Sequence, residues 1–222
     1  MKTLGVPISG KCGQSIASRN HFGPYVRGVG AAPGPGTPAQ VEWRRTFGPI
    51  SASWGTGLTK DQYVGWRRLA ARTPSRVRLG QSHSLTGQTC YVAVNSVLAR
   101  LGREKMLDAP VLAKFGPNPV GALTMSPREG GLALKLSVAE PVVEEIMLYG
   151  APPCSAGRDK PAYVKYLGLL GAPEGEAWDI TEKYVKAFGE PAAGMQLFIC
   201  TRQQLRGQEG NDHLVSEIVP AK

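Results

Sequence analysis

The chain has 222 residues, 42% of them hydrophobic, with 28 Gly, 18 Pro and a formal net charge of +9. This is enough apolar material for a core, and too much Gly and Pro for a compact helical bundle. No stretch approaches the ~18 consecutive apolar residues of a membrane span, and Met1-Lys2-Thr3-Leu4-Gly5 lacks the apolar centre of a signal peptide, so a cytoplasmically made product without membrane contact is expected.

The charge is unevenly placed. Residues 1–110 hold 15 Lys and Arg against 4 Asp and Glu (+11), and residues 111–222 hold 11 against 13 (−2). A basic first half calls for an acidic counterpart, which could be nucleic acid, an acidic protein surface or an anionic lipid, unless it is simply a solvated face.

In chain order, residues 1–36 are rich in Gly, Pro and Ser and end in Ala31-Ala32-Pro33-Gly34-Pro35-Gly36, which suits neither a helix nor a central strand. They read as an extended arm, expected to lie on a neighbouring subunit or on the body of the protein. A helical region, 37–110, follows. Thr37-Pro38-Ala39-Gln40 and Thr59-Lys60-Asp61-Gln62 carry the reciprocal Thr/Gln capping signature, and a third helix is expected from Thr86 to Arg100, stopped at Gly102. Gly48-Pro49 is expected to break the first helix, leaving Ile50–Trp54 as a separate piece. Trp43, Phe47, Trp54, Tyr63 and Trp66 form the simplest core for this unit.

From about residue 120 the apolar period changes from 3.6 to 2. Leu132, Leu134, Leu136 and Val138 alternate with Ala133, Lys135 and Ser137. Further strands are predicted at Leu123–Met125, Glu145–Tyr149, Tyr163–Leu169, Met195–Arg202 and Leu214–Val219, with a short helix capped near Asp179-Ile180-Thr181-Glu182. The expectation is an α+β chain in which 111–222 form a β-sandwich of immunoglobulin or fibronectin type III character.

Catalytic and metal signatures do not emerge. His21, His83 and His213 lie in separate segments, Cys12, Cys90, Cys154 and Cys200 are widely spaced and read as free, mostly buried thiols, and Glu144 and Glu145 fall on opposite faces of a strand. A non-enzymatic protein without metal or cofactor is expected. The positive signal is the series Arg19, Arg27, Arg44, Arg45, Arg67, Arg68, Arg72, Arg76 and Arg78, interleaved with His21, Phe22, Tyr25, Trp43 and Trp66. Arginines among aromatic rings suit phosphate contact with base stacking, and equally an interface between protein subunits.

Gly10-Lys11-Cys12-Gly13, Phe22-Gly23-Pro24-Tyr25-Val26-Arg27, Thr37-Pro38-Ala39-Gln40, Trp54, Leu58-Thr59-Lys60-Asp61-Gln62, Trp66 and Leu85-Thr86-Gly87 occur in that order. The pattern over about residues 10–102 resembles an uncharacterised family of phage- and prophage-encoded proteins with a Gly-Lys-x-Gly arm, Thr-x-x-Gln and Leu-Thr-x-x-Gln-x-x-x-Trp helices and a fibronectin-like C-terminal domain. This chain departs from it at Pro35-Gly36, where the family has Asn-Pro, and at Gly48-Pro49, where the family helix is uninterrupted. The resemblance implies a virion location and a structural or assembly role as a head decoration, connector or tail-associated component. Its partners would then be other virion subunits in a homo- or hetero-oligomer, with nucleic-acid binding by the basic half as the alternative.

Overall fold

A computed structural model describes residues 9–20, 23–30, 34–73, 84–129 and 131–220. The chain is α+β and forms two compact units, Met1–Arg45 and Thr46–Lys222.

In the first unit the expected extended arm is instead, over Gly10–Gly28, an antiparallel meander of β1 (Gly10–Cys12), β2 (Ser15–Asn20) and β3 (Gly23–Gly28). The Gly and Pro that argued for irregular chain sit where a small sheet tolerates them. Gly13 takes a φ of 56° in the two-residue turn between Cys12 and Ser15. Pro24 lies on β3, an edge strand whose outer side needs no N–H donor.

Helix α1 spans Pro38–Thr56 without interruption and contains Pro49. The expected break does not occur, because an interior proline removes only the hydrogen bond to the carbonyl four residues back, here Arg45, and this stretch of helix is exposed to water. The predicted capping box forms: Thr37 N–H donates to Gln40 Oε1 at 3.0 Å and Gln40 N–H to Thr37 Oγ1 at 3.3 Å. Thr59 and Gln62 repeat it at the start of α2 (Lys60–Arg72), at 2.9 and 3.3 Å. Thr86 caps α3 (Gly87–Arg100), which ends at Gly102 with φ 69°, where Arg103 N–H reaches Leu98 O and Gly102 N–H reaches Ala99 O.

The helical core differs from the one expected. Trp66 is fully buried and donates its indole N–H to Leu107 O at 2.7 Å, with the Tyr91 ring edge-on to it and Trp54 joining Tyr91 to Tyr63. Trp43 and Phe47, however, remain 42% and 43% exposed. They share a helix face with Ile50 and Trp54 by spacing, but only Ile50 and Trp54 belong to the cluster formed with α2 and α3. Buried Asn95 fixes the chain leaving α3, bonding Met106 through both its backbone groups.

The remaining strands are β4 (Val120–Arg128), β5 (Gly131–Val138), β6 (Glu145–Gly150), β7 (Cys154–Ser155), β8 (Lys165–Leu170), β9 (Ala177–Asp179), β10 (Met195–Leu205), β11 (Gln208–Glu209) and β12 (His213–Ile218), with α4 (Thr181–Phe188) between β9 and β10. They build a three-stranded antiparallel sheet, β4-β5-β9, and a six-stranded one centred on β10, which has β7 and β6 along one edge and β12 and β11 along the other, with β8 beyond β6. Each predicted strand is present; β7, β9 and β11 are too short to show a period.

Leu123, Leu134 and Leu136 of the small sheet share one core with Ile146, Leu148, Leu197 and Ile199 of the large one. The opposite face of the large sheet presents Met147, Tyr149 and Cys200 to Val97 of α3. This explains why β6 reads as a continuous apolar run: it is covered on both faces. It also places the helices and sheets of residues 46–222 in one three-layered unit, so the boundary expected at residue 110 runs through its interior.

Candidate functional site

The arginine series is divided by the fold. Arg19 and Arg27 are exposed but project from opposite faces of the meander, since Arg19 stands opposite Pro24 in the register and Arg27 lies three residues further along β3. Arg44 and Arg45 are exposed on α1, the Arg44 guanidinium lying close to Gly36. Arg76 and Arg78 lie outside the described residues, as do His21, His83 and Phe22.

Helix α2 is where cations are gathered. Trp66, Leu69 and Ala70 turn inward, which leaves Lys60, Arg67, Arg68 and Arg72 exposed around Val64 and Ala71. Arg68 and Arg72 are one turn apart on the same row. The first methylenes of Arg67 lie over the start of α3, where a Cβ at Gly87 would be 3.0 Å from Arg67 Cγ and from the Trp54 ring. Gly87 therefore lets the two helices close up beneath this face. Among the described residues the ion pairs are Arg103–Glu145, Arg128–Glu190 and Arg202 with Glu209 and Asp212, so none neutralises α2.

Sequence reasoning did not single out the second concentration of charge, at the junction of α3 and the large sheet. Arg202 stacks 4.7 Å above the Tyr149 ring and pairs with Glu209 and Asp212. Tyr149 donates its hydroxyl proton to Glu209 at 3.0 Å and accepts from Arg100 Nη1 at 3.0 Å. Burial works against the Arg202 charge, and Glu209 and Asp212 more than offset it, so its pKa is raised. Burial pushes the Tyr149 hydroxyl up to about 12, Glu209 adding to the effect and Arg100 and Arg202 opposing it. Every charge here has a partner, and the partners lie on different elements, which describes a clamp holding α3 to the sheet. The residues come together only in the fold, from α3, β6, β10 and β11, so spacing along the chain does not reveal them.

A cleft of about 400 Å³ adjoins this clamp, with Cys90, Val94, Leu112 and Phe115 among its apolar walls and Glu209 and Asn211 at its polar end. Burial raises the Cys90 thiol above its usual range, which keeps it protonated and poorly nucleophilic. Cys200 is buried with a raised pKa as well, whereas Cys12 is exposed and Cys154 half-buried, so two of the four free thiols are buried where most were expected to be. Glu144 and Glu145 do part to opposite sides: Gln203 bonds the first at 3.2 Å, and Arg103 and Gln204 bond the second. Among the described residues no three His, Cys, Asp or Glu side chains converge as metal ligands would.

No protein-family model, curated protein or solved structure matches the chain.

Proposed function

We propose that the chain is a phage virion-associated structural protein, a head decoration, connector or tail-associated component, that acts through contacts with other subunits. The observation that carries this reading is the state of the first unit. Its three-stranded sheet holds only half-covered side chains such as Ile16, Tyr25 and Val26, and every described side chain between residues 9 and 45 is at least partly exposed. A sheet this small needs an apolar face packed on something else, and a neighbouring subunit supplies it. The second unit supports the same reading: two antiparallel sheets with a common core fit an immunoglobulin or fibronectin type III-like sandwich, a frame suited to presenting surfaces to neighbours.

Gradient-purified particles from cells producing the chain test the proposal. The chain is expected to co-sediment with particles through a high-salt wash; recovery only from the soluble fraction would sink the reading. The outer face of α2 favours nucleic-acid binding as a second reading, because four exposed cations on one helix side suit a phosphate backbone. That reading requires DNA affinity that falls steeply with salt and with Arg67→Ala/Arg68→Ala.

A further inference from the structure

Two exposed patches of opposite charge lie on opposite outer layers of the second unit. One is the face of α2 described above, where Val64, 37% exposed, sits among Lys60, Arg67, Arg68 and Arg72, with Asp61 the single acid of the helix, leaving a net charge of +3. The other is the stretch 171–182, which carries Glu174, Glu176, Asp179 and Glu182, all exposed, and no Lys or Arg. Asp179 is occupied, accepting from Thr181 N–H at 2.8 Å and standing opposite Lys135 in the register. Glu174, Glu176 and Glu182 take part in none of the ion pairs among the described residues.

The layering keeps the patches apart within one molecule. Helix α2 packs on α3, which covers one face of the six-stranded sheet. The acidic stretch surrounds β9, part of the three-stranded sheet on the other face. We infer that the chain associates head to tail with a second copy of itself, the basic face of α2 on one copy seating on the acidic 174–182 turn of the next.

Charge complementarity selects this occupant. Cations around an exposed apolar centre have the plan of a protein interface, with the rim setting orientation and the centre excluding water. The acidic stretch offers the matching arrangement, with exposed Ala172 and half-buried Pro173 beside Glu174 and Glu176. Because the two patches differ, the contact is heterologous and repeats into a ring or an open row, whichever the rotation between copies allows. The inference rests on the assembly reading above and names one of the partners it requires.

Sedimentation velocity on the full chain tests it, at about 0.05 M and about 0.5 M salt, where screening differs severalfold. The wild-type chain is expected to gain mass with concentration at low salt and to lose that gain at high salt. Arg67→Glu/Arg68→Glu and Glu174→Arg/Glu176→Arg should each weaken association at least tenfold. An equimolar mixture of the two variants should restore it, because each then presents a surface that fits the other; this recovery also shows that both variants are folded. A wild-type chain that stays monomeric overturns the inference, while co-sedimentation with particles would still uphold the assembly reading. Association that both variants retain overturns it too and moves the contact to another surface. DNA binding lost in Arg67→Glu/Arg68→Glu with self-association unchanged overturns it in favour of nucleic acid.

Discussion

Tyr149 shows how one hydroxyl can tie three elements. It lies on β6, bonds Glu209 of β11 and Arg100 of α3, and supports Arg202 of β10 on its ring. Because its folded pKa is about 12 against an unfolded value near 10, the unfolded chain gives up this proton first as pH rises. Its contribution is therefore complete below about pH 10 and is lost between about pH 10 and 12, roughly 2–3 kcal/mol in all. Tyr184 is raised by burial and acts in the same direction, so the expected signature is a difference. Denaturant titrations from about pH 9 to about pH 12 should show Tyr149→Phe about 1–2 kcal/mol less stable at the low end and less sensitive to pH across the window. Parallel curves would show that Tyr149 does not report the clamp. At Gly207 the constraint is steric: φ is 79° in the turn after Arg206, and an added Cβ would lie 2.7 Å from Val94 O of α3. Gly207→Ala should cost more than about 2 kcal/mol, read from the same titrations, since it adds a clash with backbone to left-handed strain.

At the scale of elements, what could be read from the sequence was what neighbours along the chain decide. Thr37, Thr59 and Thr86 mark helix starts because capping is settled within four residues, and Leu132–Val138 marks a strand because alternation needs only one buried face. The meander is not legible in the sequence because Gly13 and Pro24 argue against regular structure in a central strand, yet are acceptable in a turn and at an edge. Trp43 and Phe47 were misplaced for a related reason: spacing tells which residues share a helix face, and says nothing of where the covering element ends. Pro49 marks a weak point that the helix carries. Its ring is exposed, so Pro49→Ala removes no packing and restores a donor for the Arg45 carbonyl. Thermal denaturation is expected to show a gain of up to about 3 kcal/mol, and a loss would mean that the proline ring itself helps to hold α1 in place.

At the scale of the whole molecule, helical spacing sets Arg67, Arg68 and Arg72 apart from the buried face of α2, but neither spacing nor the charge split between the halves could show that Arg19 and Arg27 diverge, because that depends on strand register. The same limit explains the boundary expected at residue 110. A change of period from 3.6 to 2 looks like a change of domain, but Val97 and Leu101 of the helical stretch cover Met147, Tyr149 and Cys200 of the strand-rich one, and only long-range packing reveals it. Two truncations separate these descriptions. Removing residues 1–36 leaves the Thr37 capping box and the whole of Thr46–Lys222, so a single cooperative melt near the full-length midpoint is expected, together with loss of co-sedimentation with particles, while the head-to-tail contact through α2 is kept. Removing residues 1–110 instead strips α3 from the large sheet and exposes Met147, Tyr149 and Cys200, which are 0%, 4% and 3% exposed in the intact chain. Three such side chains bring several kcal/mol of lost burial, at about 1.5–3 kcal/mol for each large one, comparable with the whole stability of a domain this size. The shorter fragment should melt broadly or aggregate and bind a hydrophobic dye, whereas a sharp melt at the full-length midpoint would restore residue 110 as a domain boundary.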